Sequence, residues 1–231
     1  MALVPDNPQM TIPQTRSGDG FPVIRLSDSQ ADALTELVNI AFGLTASKLS
    51  QISGHRVRLQ APVIAIHPMA DLARELGSCL TGEVATVHQV FTGPLSGDAI
   101  LFLNHDGALR LSNLIVDEHL RSQCLDIPTA EIVSEAGNML LSACLGMFGN
   151  LLEVHVTFSV PSLHLESLEQ FLTSISIDGG ELRYAVMITA PFDIFAEGID
   201  GRIVIVLGLS SLERLIQAIE RWEGSHYPLA H

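Results

Sequence analysis

The chain has 231 residues, 47% of them apolar, and a mean hydropathy of +0.35, which is ample for a sizeable core and excludes disorder over most of its length. Twelve basic residues against 26 acidic ones give a formal charge of −14, so the surface repels a phosphate backbone and nucleic acid is excluded as an expected partner. No basic-then-apolar leader opens the sequence, and its longest uncharged run, 136–152, falls short of a membrane span and carries polar residues and glycines, which predicts a cytoplasmic protein with no membrane partner.

Residues 1–24 hold Pro, Gly, Ser and Asn without periodicity and read as a flexible tail, leaving one domain over 25–231. Ser27 followed by Gln30 is a capping-box signature, and the apolar spacing after it predicts a helix to about Ile52, stopped by Gly54. Val57–Leu59 and Val63–Ile66 flank Pro62 as a strand interrupted or restarted at an edge or bulge. A short helix over Ala70–Leu76, a hairpin of Gly82–Phe91 with Asp98–Leu103, and a helix capped by Asp106 complete the first half.

The order then recurs. A helix over Thr129–Phe148 leads to a strand, Val154–Val160, that runs up to Pro161, and then to a short helix, Leu165–Ile175. Strands Leu182–Ile188 and Arg202–Leu207 follow, connected by 191–201, and Ser210 with Glu213 opens a last helix. Two such units, 26–120 and 127–224, would each leave a sheet face and an edge bare if alone. The expected fold is therefore α+β, a pseudo-twofold duplicated unit with one continuous, mostly antiparallel sheet and two long helices packed on it.

What recurs is more than the element order. Asp32, Glu36, Asn39 and Pro62 reappear as Glu131, Glu135, Asn138 and Pro161, all at an offset of 99 residues. At ~100° per helical residue, positions 32, 36 and 39 lie within ~60° of arc, so each copy groups an acid, a Glu and an Asn on one face. Leu34, Leu37, Val38, Ala41 and Leu44 in the first copy, and Val133, Ala136, Leu140 and Ala143 in the second, supply the expected packing face. An exposed helical Glu is ordinary. Asn is a poor helix former at mid-helix and usually has a reason to be there, and finding both twice at one spacing points to function. The prolines read as structural. Cys79, Cys124 and Cys144, odd in number and scattered, read as reduced thiols filling the core, and His155 and His164 as sheet-face or loop residues. There is no H-E-x-x-H, Walker loop or G-x-S-x-G elbow.

This pattern resembles the CheC/CheX/FliY family of chemotaxis phosphatases, whose signature is Asp or Ser, three residues, Glu, two residues, Asn, twenty-two residues, Pro. The first copy matches throughout; the second has Glu131 at the first site. Gly137 precedes the second Asn, as is usual in CheC proteins, whereas Val38 precedes the first. Two copies with no flagellar-switch domain after the second is the CheC layout. The resemblance implies a hydrolase of two-component signalling that removes the aspartyl phosphate of a CheY-type response-regulator receiver. It implies no cofactor of its own, the Mg2+ and the lysine belonging to the receiver. Asn39 and Asn138 would orient the attacking water, a task suited to a carboxamide because it both donates and accepts hydrogen bonds. Glu36 and Glu135 would pair with the receiver lysine, with Asp32 and Glu131 in support. The alternative is a non-catalytic module that binds a receiver or a CheD-type deamidase.

Overall fold

The computed structural model describes residues 15–16, 22–54, 56–59, 61–77, 80, 82–116, 122–175, 183–194 and 197–226. Within the expected tail, β1 (Thr15–Arg16) pairs with β2 (Pro22–Val23); 1–14 and 17–21 lie outside the described residues. The first half continues with α1 (Asp28–Ser53), β3 (Val57–Leu59), β4 (Val63–Pro68), a 3-10 turn (Met69–Asp71), α2 (Leu72–Gly77), β5 (Glu83–Thr92), β6 (Gly97–Asn104) and α3 (His105–Ile115). The second has α4 (Ile127–Leu151), β7 (Thr157–Phe158), β8 (Ser162–Ser167), α5 (Leu168–Ile175), β9 (Arg183–Ile194), β10 (Glu197–Gly208) and α6 (Leu209–His226).

Both long helices start on side-chain caps. The Ser27 hydroxyl accepts from the Gln30 backbone N–H at 3.2 Å while the Gln30 side chain accepts from the Ser27 N–H at 2.8 Å, and Gly54 ends α1 at φ 68°, a conformation free of cost to glycine. α4 opens on Asp126, which accepts from the backbone N–H and the hydroxyl of Thr129. Those bonds from Thr129 hold the Asp126 carboxyl below the ordinary aspartate range.

All strand pairs are antiparallel, in the order β3, β9, β10, β6, β5, β7, with β4 also pairing β9 and β8 also pairing β5. The pseudo-twofold axis therefore lies at the β6–β10 seam, where Leu101 pairs with Ile203. The halves also exchange strands. β3 and β4, from the first, lie on β9 of the second, and β7 and β8 lie on β5 of the first.

The sheet is covered on both faces. Val87, Leu101, Val186 and Ile205 point toward α1, α3, α4 and α6, while their neighbours Ile100, Phe102, Val204 and Val206 pack under α2 and α5. Alternate residues of one strand thus enter two cores, which is why 99–103 and 203–207 are continuous apolar runs. α4 is long and apolar enough to cross a membrane by length and composition, and half of that stretch is buried inside the fold.

Several boundaries differ from the sequence reading. The expected strand 154–160 is reduced to 157–158, and a further strand, 162–167, follows Pro161; the helix expected from Leu165 begins at Leu168 because β8 is claimed by β5. Residues 191–201, expected to be a connection, belong to the long hairpin of β9 and β10, whose 195–196 lie outside the described residues. Pro191 is tolerated because β9 there faces the gap between β3, which ends opposite Phe192, and β4, which begins opposite Thr189. Asn104 caps α3 instead of Asp106, accepting from the Gly107 N–H at 2.6 Å, and α6 begins one residue before Ser210. Cys144 is buried, and its thiol is pushed up to about 12 by desolvation, but Cys124 is exposed and so is not core filler; Cys79 lies outside the described residues.

Two outcomes follow from this architecture. A Cβ on Gly97 would strike the Val206 carbonyl across the central seam, so Gly97→Ala costs about 2 kcal/mol in urea unfolding, the range expected of a clash that moves backbone. Asp126→Ala removes stability that wild type shows above the ordinary aspartate pKa and loses as pH falls through the depressed folded value. The gap between their melting temperatures should therefore close on acidification.

Candidate functional site

α1 packs along α4, and the two carry both motifs. On α1 the apolar face is formed by Ala33, Leu34, Leu37, Val38, Ala41 and Phe42, all buried. Asp32, Glu36 and Asn39 come up on the opposite side and are exposed, as the helical spacing requires. No described residue hydrogen-bonds the Asn39 side chain. On α4, Glu131 and Glu135 are likewise exposed, but Asn138 is half-buried.

Asn138 differs chemically as well. Its Oδ1 accepts from Gln89 Nε2 and from the Ser142 hydroxyl, each at 3.2 Å. Gln89, only 2% exposed on β5, also donates at 2.8 Å to the backbone carbonyl of Ser159. That carbonyl can only accept, so the Gln89 atom facing it is the amide nitrogen, and the Asn138 atom facing the same nitrogen must be its oxygen. The two lone pairs of that oxygen are both used.

The matching positions around Asn39 supply neither donor. Ser142, four residues after Asn138, corresponds to Gly43, four after Asn39. Gln89 corresponds to Ala190: His88 pairs with Ser162 at the start of β8 as Thr189 pairs with Val63 at the start of β4, and 89 and 190 are the next residues. A sequence reading aimed at helix faces missed Gln89, which arrives from a strand; Ser142 was visible as the i+4 neighbour of Asn138.

The departure at Val38 and Gly137 has a steric cause on the second side. A Cβ on Gly137 would lie 2.8 Å from both methyl groups of Val87 on β5, so α4 touches the sheet here through a bare backbone. Val38, fully buried, fills the corresponding space under α1.

Pro62 is buried and Pro161 half-buried. From Leu59 to Val63 is four residues against three from Phe192 to Thr189, and from Phe158 to Ser162 is four against three from Phe91 to His88. Each motif proline therefore ends a one-residue bulge in an outer strand, a structural role.

Between α1 and α4 runs a groove of about 610 Å3, walled by Leu37, Ile40 and Leu44 on one side and Met139 and Met147 on the other, and closed by Trp222 of α6. Asn138 and Ser142 reach into its wall, and Lys48 is its single charged lining residue. Ile40 and Leu44 are 53% and 64% exposed, so Leu44 lies outside the packing face expected for it and apolar surface adjoins Asn39 directly. Among the described residues no three His, Cys, Asp or Glu side chains group as a metal site. His155 is exposed in a loop, and His164 stands on β8 with its ring nitrogen 3.0 Å from the Ser162 hydroxyl.

Solved structures share this architecture. FliY from Thermotoga maritima superposes with a TM-score of 0.68 over 86% of this chain and 99% of its own, at 18% identity. The FliM middle domain from H. pylori gives 0.60 over 84% and 99%, at 12% identity, and a chain of the FliG–FliM complex from H. pylori gives 0.58 over 83% and 100%, at 13%. The chain thus has the fold of FliY and of the FliM middle domain. No protein-family model matches the sequence, and no curated protein sequence matches it.

The close approach at Gly137 is open to test. Gly137→Ala lowers stability by about 2 kcal/mol, and adding Val87→Ala, which removes both facing methyl groups, recovers part of that loss, a coupling measurable in a double-mutant cycle.

Proposed function

We propose that the protein is a phosphatase of the aspartyl phosphate on a CheY-type receiver, with Glu36 and Asn39 of α1 as the working pair. The observation that carries this reading is the joint exposure of Asp32, Glu36 and Asn39 on one helix face beside uncovered Ile40 and Leu44. Exposed carboxylate and amide groups on a helix surface suit a reaction centre completed by a second protein.

In that centre a water attacks phosphorus in line with the receiver's aspartate oxygen. The P–O bond to the carboxylate breaks, the water oxygen stays on phosphorus, and phosphate leaves with the aspartate restored. The amide oxygen of Asn39 accepts a hydrogen bond from the water and aims the water's lone pair at phosphorus, and both water protons stay with the released phosphate; orientation of this kind needs no charge and no particular pH. Glu36, one turn earlier, pairs with the receiver lysine and sets the amide at the right depth. Asp32 and Glu131 support docking, and Glu135 and Asn138 form the second copy of the motif. No metal is asked of this chain, since the receiver brings its own Mg2+, and a receiver partner places the protein in the cytoplasm.

The fold relatives found in FliM–FliG and FliM–SpeE complexes support the choice of a protein partner. With a formal charge of −14, the chain gains little from long-range steering toward an acidic receiver, so the apolar lip of Ile40 and Leu44 has to supply much of the affinity. That same lip favours the second reading, a module that binds a receiver or a CheD-type deamidase without hydrolysis.

Phosphate release from a phosphorylated receiver encoded beside this protein separates the two. Acceleration over spontaneous decay is expected, lost in the Asn39→Ala, Asn138→Ala double variant, with Glu36→Gln lowering kcat/KM about tenfold by removing one charge-assisted contact. A stable complex with unaltered decay would establish the binding module instead.

A further inference from the structure

We infer that the two motif copies divide the labour: the amide on α1 holds the attacking water, and the amide on α4 is fixed by Gln89 and Ser142 as a hydrogen-bond donor that holds the partner. This inference rests on the phosphatase reading and deepens it.

The chemistry follows from which atoms remain. A water held for in-line attack by a carboxamide oxygen must donate a hydrogen bond to it while its lone pair faces phosphorus. Asn39 can accept that hydrogen bond, since no described residue occupies its oxygen. Asn138 cannot, because Gln89 and Ser142 both donate to its Oδ1. Nor can the amide turn over to free the oxygen. A flipped amide would present Nδ2 to the Gln89 nitrogen, donor against donor, and Gln89 is itself fixed by the Ser159 carbonyl. What Asn138 still offers is its Nδ2 hydrogens. Those suit an anionic oxygen of the partner, such as a phosphoryl or carboxylate oxygen, in a groove whose one charged lining residue is the cation Lys48.

The difference between the copies is written into the chain, since Gly43 and Ala190, which stand where Ser142 and Gln89 stand, have no side-chain donor. Gln89 and Ser142 are positioning residues, acting on the partner only through Asn138.

Two measurements test this. First, 15N relaxation of the side-chain amides in the free protein should find Asn138 nearly as rigid as the backbone and Asn39 mobile, with Gln89→Leu releasing Asn138. Should Gln89→Leu fail to fold, Ser142→Ala removes the other donor and should raise the mobility of Asn138. An Asn138 as mobile as Asn39 in wild type overturns the inference whether or not the protein is a phosphatase. Second, steady-state phosphate release should show Asn39→Ala lowering kcat about tenfold or more with little change in KM. Asn138→Ala should raise KM several-fold with kcat largely kept, and Gln89→Leu should move KM in the same direction. A fall in kcat in Asn138→Ala equal to that in Asn39→Ala overturns the division of labour. A rigid Asn138 in a protein that never accelerates phosphate loss would instead refute the phosphatase reading while leaving the fixed amide standing.

Discussion

The pairing of β4 with β9 and of β8 with β5 is the constraint on which the rest of the structure depends. Each half gives its first strands to the other, and the halves meet again at the β6–β10 seam, so the sheet closes only when both are present. The two cores, one under four helices and one under α2 and α5, both take side chains from β6 and β10. Cooperativity is therefore built in by topology: burial in one core fixes the pleat, and the pleat fixes which residues enter the other. α1 and α4, laid across this shared sheet, have their spacing set by it, and with it the placement of the two motif faces.

Against that symmetric frame the chemistry is unequal. The helices carry the same Glu and Asn at the same interval, yet one amide stands in the open and the other is bound into a chain of donors running from β5 through α4. A hydroxyl at position 142 in place of a hydrogen at 43, and a carboxamide at 89 in place of a methyl at 190, account for the contrast. Symmetry of backbone does not carry over to symmetry of side-chain setting when the groups around the motif differ.

The sequence made the helices and the motif faces legible because their signals are local: the Ser27 and Gln30 capping box, the left-handed stop at Gly54 and the 3.6-residue spacing from Leu34 to Ala41 all act within a few residues. It misled where a distant strand decides the outcome. Residues 162–167 became a strand because β5 was there to pair, and Pro191 sits inside a strand because the bulge across from it leaves no donor required. The interruption at Pro62 was readable from the β-branched stretches on either side of it. Gln89 was not readable as a site residue, since nothing in its own neighbourhood marks it; only the fold brings it under Asn138.

The bulges at Pro62 and Pro161 have a further consequence. They fall in the outermost strand at each side of the sheet, breaking it into segments of three and six residues on one side and two and six on the other. A stranger's strand seeking to extend the sheet meets a row of backbone groups that changes step part-way along, beside a residue with no N–H to offer. The motif proline, kept at a fixed distance from the Asn in both halves, thus acts as a guard against self-templated aggregation. A protein that leaves Ile40 and Leu44 uncovered is served by such a barrier at both margins.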